Sequence, residues 1–424
     1  MPTTNTERVL NNNLTVNSPS GWGNRLQTEA RRAAGWTITV LGFTIPMWVV
    51  ADGVLVVLLV MCWLASGEWR ERVRRLTANP VALSALLLFG WLLAGSFWGL
   101  GSLDERMLAV KKYADLLLVP LLISMAVDVQ ERNRAIMALA ASLVVTLVLS
   151  LVLGLGGLST GWIIGCGPSN PCVFKRHITH NVLMAFGALL FAVLAWRSRA
   201  RRVRWVWGLA SVLAGSNVLM VHGRIGYVVL TGLTVLALHA VFGWRGVAGA
   251  VTILILVFSG AYQISISFHD RVNLTLSNVT QGISASGDLA TQERAEFYHY
   301  TVKIIEDHPL MGVGTGGFAQ AYALHAKQAG VPVPSHPHSQ YLLIMAQVGV
   351  IGLALLFWLF VQQWRSTPLV GDVTYGLLTR GLVLIMVVGC LFNDLLLDHT
   401  EKLLYCWFSG LMYSGADLRL GAKA

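Results

Sequence analysis

The chain has 424 residues, of which 55% are hydrophobic and 12% charged, with a formal net charge of +10. Soluble domains carry about 25% charged residues, and this sequence instead repeats apolar runs of the roughly 20 residues that cross a bilayer. A soluble domain is excluded, and an outer-membrane barrel would show roughly 10-residue alternating segments instead.

The polar segment 1–34 ends in Arg31-Arg32 and lacks the small-residue cleavage site of a signal peptide, so it reads as a cytoplasmic tail. Apolar spans are predicted over 35–50, 52–67, 81–98, 108–126, 135–157, 178–196, 205–222, 225–242, 247–267, 339–361, 377–394 and 401–416. The first two are closely coupled, with their boundary at Ala51-Asp52-Gly53. Twelve spans put both termini on one side. The clusters Arg70, Arg72, Arg74, Arg75 and Arg197, Arg199, Arg201, Arg202, Arg204 fall on that side, with Arg132, Arg134, Arg245 and Arg365. Short basic loops mark the cytoplasmic face. The same dispersal over short loops argues against nucleic acid as the partner of the positive charge. The expected organisation is a tail over 1–34, nine spans within 35–267, an outside loop domain over 268–338, three spans within 339–416, and a second tail over 417–424. The fold class is an all-α polytopic membrane protein.

Cys166 and Cys172 bracket GPSNP in an outside loop. In an oxidising compartment that spacing suits either a disulfide or two free thiols. Cys62, Cys390 and Cys406 lie in apolar spans and read as small core residues.

The segment 268–338 is the only long loop, and such loops are usually functional or disordered. TQERAEFYHYTVKIIE, 291–306, carries Phe297, Tyr300 and Ile304 at helical spacing, with Thr291 as its expected N-cap. HPLMGVGTGGF then breaks the helix, and a second short one is expected over 318–329. GVGTGG lies between helices, not after a strand, so it is a weak nucleotide signal.

The outside cations sit badly for lipid. Arg224 stands between two apolar runs, where lipid exposure at a helix centre costs ~2.5 kcal/mol or more. Lys111-Lys112 open a span, Arg176 with His177 and His180 precedes another, and Arg294 lies on the loop helix. Lining one electropositive cavity, they would suit an anion, and arginine forks suit phosphate oxygens. The plainer reading is that each snorkels to the interface or pairs with Glu105, Glu293 or Glu296.

His336 and His338 sit two apart in VPVPSHPHSQYLLIMAQVG, where the loop becomes a span. A helix N-terminus and nearby arginines both disfavour imidazolium. His338 is therefore expected neutral near pH 7 and able to take a proton. A structural cap is the bland alternative. No metal is expected, because His-x-His here lacks an evident carboxylate third ligand.

ERAEFYHYTVKIIEDHPLMGVGTGGF followed by HPHSQYLLIMAQVGVIGLALL resembles the O-antigen ligase/polymerase (Wzy_C-like) superfamily. HGRIGYVVL and KRHITHNVLMAF extend the resemblance over about 175–360. Ser339, Gln347 and Gly223 depart from the family's more frequent Asn, Glu and Ser. The resemblance implies a GT-C-type glycosyltransferase fold at the bacterial inner membrane with a periplasmic site and no cofactor. It implies inverting transfer of O-antigen from undecaprenyl diphosphate to a sugar hydroxyl of lipid A–core. His338 carries over as the base and Arg224 and Arg294 as diphosphate ligands, with Arg176 and Lys112 beside them. His180, Asn181, His336 and Tyr341 are further candidates for binding or orienting substrate. A compact chain with one dominant outside loop is more similar to the ligases. An O-antigen polymerase is the nearest rival. A lipid-linked oligosaccharide transporter is the rival from another class, with Asp52, Asp115, Asp394 and Arg380 as its near-membrane charges.

Overall fold

The computed structural model describes residues 21–158, 163–281, 288–327 and 332–414. Most of the N-terminal tail and the whole tail over 417–424 lie outside these residues, as do the last two positions of the short helix expected over 318–329. Among the described residues the chain is all-helical, with no strand beyond an isolated bridge between Gly167 and Asn170.

The helices in chain order are α1 (Gly21–Thr44), α2 (Val49–Ala65), α3 (Trp69–Ala78), α4 (Pro80–Gly95), α5 (Leu103–Tyr113), α6 (Leu118–Met125), α7 (Val129–Gly154), α8 (His177–Arg197) and α9 (Arg201–Met220). There follow α10 (Arg224–Phe242), α11 (Trp244–Ile264), α12 (Ile266–Gln281), α13 (Leu289–Asp307), α14 (Phe318–Ala326), α15 (Gln340–Arg365), α16 (Val373–Phe392) and α17 (His399–Ser414). Each of the twelve predicted spans overlaps one or more of the described helices. Six of these, α7, α8, α10, α11, α15 and α16, are individually long and apolar enough to cross a bilayer, which makes this a multi-pass membrane protein. The others fall short locally. Helices α4 and α17 have only 16 residues each, and α9 opens on three arginines. Helix α2 bends by 115° into the polar α3.

The break between the first two helices falls at 45–48, not at Asp52. Pro46, which has no N–H to donate, stands in the break, and Asp52 is drawn into the first turn of α2, where Thr44 donates to it at 2.7 Å.

Helix α17 is the axis of the packing and is buried along 400–414. Gly410 lets α6 come close, since a Cβ there would lie 2.8 Å from Leu122 Cβ. Trp407 donates to the Ile38 carbonyl at 3.1 Å, and Phe408 meets Phe186 of α8 edge-on at 5.3 Å. Polar side chains in this core satisfy each other: Gln363 receives Tyr405 at 2.6 Å and donates to Ser409 at 3.0 Å. At the other extreme α11 is almost wholly uncovered by protein and packs mainly on α10 and α12, forming an arm outside the core.

Contacts sort the connecting segments into two ends. At one, Arg31 pairs with Glu68 at 3.0 Å, Arg197 pairs with Asp372, and Arg132 and Arg197 both lie over the Tyr375 ring. These are segments expected to be cytoplasmic. At the other end, 95–99 meets 313–317, 170 meets 222, 224 meets 288, and 338 meets 393.

Among the described residues the long loop carries one helix more than read. Helix α12 was not anticipated. Helix α13 starts earlier than read, because Asp288, not Thr291, is its N-cap and accepts from Thr291 N–H at 3.3 Å. The glycine turn serves packing. Gly314 has φ +85°, and a Cβ there would lie 2.2 Å from Gly99 Cα. Its N–H donates to the Gln347 carbonyl at 2.7 Å and Val313 N–H to Ala346 at 2.9 Å. Those carbonyls are available because α15 is broken at Val348–Gly349. The turn therefore plugs a kinked span.

Candidate active site

Pro337 and the start of α15 hold His338 at φ +56°, a left-handed backbone rarely adopted by a residue with a side chain. Such strain costs about 1–3 kcal/mol and persists only where the surroundings impose it. Ser339 is the N-cap of α15 but makes no side-chain cap bond. The His338 ring stacks on Phe297 of α13, its Nδ1 lies 3.4 Å from Asn393 Oδ1, and Tyr298 donates to its carbonyl at 3.4 Å. Asn393 is itself oriented by donating to Asp398 at 2.7 Å. Burial first, then the neighbouring His336, then Arg294 hold the His338 imidazole below its ordinary value, outweighing Asn393 and Asp394. The uncharged ring expected near pH 7 is favoured, with burial rather than the helix terminus leading.

His336 behaves oppositely. Its ring meets His338 edge-on at 4.6 Å, and its Nδ1 lies 2.7 Å from Asp394 Oδ2. That carboxylate raises its affinity for a proton despite burial. Asp394 is 1% exposed, and neither of its oxygens accepts a hydrogen bond of good geometry among the described residues. One ligand atom from each of His336, His338 and Asp394 lies within 4.8 Å of the others. The carboxylate that seemed missing is therefore present: the α16–α17 connection brings it. Two contacts clamp that connection to the start of α15, Gln340 N–H to the Asn393 carbonyl at 3.3 Å and Leu396 N–H to Gln340 Oε1 at 3.0 Å.

Beside this cluster a cavity of about 570 Å³ is lined by Arg224, Arg271 and Arg294, by Tyr298 and Phe392, and by apolar side chains of α10 and α12. His338 lies behind that wall, held by the sequence neighbours of Tyr298 and Phe392. Arg224 pairs with neither Glu293 nor Glu296. It reaches Asp288 Oδ2 at 2.5 Å and Thr291 at 3.2 Å, tying the start of α10 to the start of α13. Although burial opposes it, Asp288 is held well below the usual carboxylate range by Thr291, Arg224 and Asn278. Arg271 and Arg294 have no described carboxylate within ion-pair distance. Arg271 was not singled out in the sequence, because α12 was not read as a helix that returns to Arg224.

The remaining candidates separate. Arg176 is exposed at the N-cap of α8, where it, Arg271 and Arg294 all act electrostatically on His177. Lys112 does not line the cavity: it acts electrostatically on His336, and its carbonyl accepts from Lys402 at 2.7 Å. His180 is fully enclosed, with Nε2 2.9 Å from Asn217 and 3.4 Å from Ser150, so it packs the interior of α7, α8 and α9 and does not meet the cavity. Asn181, also buried, donates to the carbonyls of Val221 and Gly223 at 3.3 and 3.4 Å and holds the turn that delivers Arg224. A Cβ on Gly226 would lie 2.6 Å from Asn181 Cβ, so this approach requires glycine. Tyr341 donates to the Val387 carbonyl at 2.7 Å and anchors α15 to α16. Cys166 and Cys172 are joined by a disulfide. The loop it closes presents Asn170 Oδ1 to the His222 N–H at 3.0 Å, two residues before Arg224.

Residues 209–357 match the family described as O-antigen ligase (Wzy_C), a stretch from α9 to the middle of α15 that holds the three arginines and both histidines. No curated protein matches the chain.

Proposed function

From a chain that carries an O-antigen ligase family domain over 209–357, we propose a glycosyltransferase that moves O-antigen from undecaprenyl diphosphate to a sugar hydroxyl of lipid A–core. The chain crosses the bacterial inner membrane twelve times in a GT-C-type arrangement, with the tails 1–34 and 417–424 cytoplasmic and the loop domain 268–338 periplasmic. The observation that carries the reading is a strained, uncharged imidazole at His338 set against a cavity with three arginines and mostly apolar walls. Fixed cations beside apolar surface suit a diphosphate on a lipid.

Arg271 and Arg294 bind the diphosphate and stabilise the charge that grows on it as it leaves, with Arg224 held by Asp288 in the same cavity wall. Arg176 widens the field at the cavity mouth. His338 removes the acceptor hydroxyl proton, typically worth 10²–10⁴-fold, and attack on the anomeric carbon opposite the diphosphate inverts it. With Nδ1 facing Asn393 Oδ1, the tautomer protonated at Nδ1 leaves Nε2 to accept that proton. The arginines supply the positive charge, so no step uses a metal.

The test supplies purified enzyme with defined lipid-linked donor, with and without lipid A–core. Product only when both are present supports the ligase. Lengthening of donor alone would assign the polymerase reaction instead, and movement of donor across liposomes without a new glycosidic bond would assign transport.

A further inference from the structure

Asp394 poses a problem that the transfer mechanism does not use. A carboxylate 1% exposed, with neither oxygen accepting a hydrogen bond of good geometry among the described residues, is costly unless a cation completes it. A proton on His336, 2.7 Å away, supplies one charge to one oxygen. The second imidazole is nearby: ligand atoms of His336, His338 and Asp394 all fall within 4.8 Å of one another. Two imidazoles and a carboxylate, with a fourth position open, form a donor set typical of zinc sites with three protein ligands. Nitrogen-rich sets of this kind favour transition ions over magnesium or calcium.

The cluster is also prepared for an ion. Pro337 stiffens the link between the two histidines. The loop bearing Asp394 is clamped to the start of α15 through Gln340. Asn393 Oδ1 lies 3.4 Å from His338 Nδ1 and leaves Nε2 as the donor atom, the outer-shell arrangement that orients metal-ligating histidines. Both histidines are only half-buried, so an ion can enter from the loop side.

We propose that His336, His338 and Asp394 form a binding site for a divalent transition ion of the zinc class, and that the bound ion switches the enzyme off. The ion takes the lone pair with which His338 accepts the acceptor proton. This inhibition rests on His338 being the base; binding of the ion does not.

The experiment uses the full chain in detergent, stripped with chelator and titrated with Co²⁺ for its visible absorption and with Zn²⁺ by calorimetry. The expected result is about one tetrahedral ion per chain, lost in Asp394→Asn and in His336→Gln while both variants stay monodisperse. Zinc should abolish transfer and chelator should restore it. Weak binding that both variants retain would overturn the site and leave the transfer mechanism standing. Binding without inhibition would keep the site and overturn the inhibition, and with it the role of His338 as base. A stripped enzyme that is inactive until zinc is added would likewise keep the site and contradict metal-independent transfer.

Discussion

The enclosed half of the protein around α17 and the open arm of α10, α11 and α12 treat charge differently. In the enclosed half, charges mostly find partners. Asp52 receives Thr44 and faces His399 at 3.3 Å, and Lys402 reaches Asp115 at 3.2 Å and the Lys112 carbonyl. Lys175 Nζ and Glu401 Oε1 are buried exceptions that act on each other electrostatically. Along the open arm and the facing α13, Arg271 and Arg294 face a cavity with no described carboxylate in reach. Paired charge in the core serves packing. Cations left without a carboxylate on a cavity wall are ready for a ligand's charge. Arg224 stands between the two regimes, half committed to Asp288 and half exposed.

Substitutions can break that contrast. The largest effect is expected at His338. His338→Ala should lower transfer by about 10²–10⁴-fold while the protein stays folded. His338→Gly should be equally inactive yet more stable than His338→Ala by about 1 kcal/mol, because glycine accepts the left-handed backbone; thermal melts compare the two. Next come the arginines. Arg271→Ala and Arg294→Ala should raise the donor KM with little change in melting temperature. Arg224→Ala should weaken transfer and also cost about 1–3 kcal/mol, since it strips a buried carboxylate of its partner. An Arg224→Ala variant as stable as the parent would remove the distinction drawn for that residue.

The pH profiles sharpen the same comparison. A base acts when deprotonated, so a lowered His338 value moves the acidic limb of kcat/KM below the ordinary histidine value of about 6.5. Asp288, held low in the folded state, contributes stability that is present above the unfolded value of about 3.9 and lost as pH falls through the folded one. Arg224→Ala should shrink that pH-dependent stability. The smallest effect on chemistry is expected at His180. His180→Ala should cost about 1–3 kcal/mol by leaving the buried Asn217 Oδ1 without its partner and leave kcat unchanged. A large loss of kcat in that variant would return His180 to the site.

The helical, multi-pass class was legible from apolar runs, and His338 from its place where a loop meets a span. Sequence spacing also found α13 and the glycine turn. It could not find what other loops bring. Asp394 arrives on the α16–α17 connection, and in the sequence it looks like one of two acids in FNDLLLDH. Arg271 needed α12 to fold back beside Arg224. His180 looked like Arg176's companion, but one turn into α8 it points at Asn217. In each case the missing information was a partner distant in the chain, which periodicity does not carry.

The central claim is that His338 is the group that accepts the proton. It is tested most directly by single-turnover transfer from a defined lipid-linked donor to lipid A–core, comparing the parent with His338→Ala at matched donor occupancy. The account predicts that donor binds to both and glycosidic product forms only with the parent. Product at the parental rate from His338→Ala would contradict it.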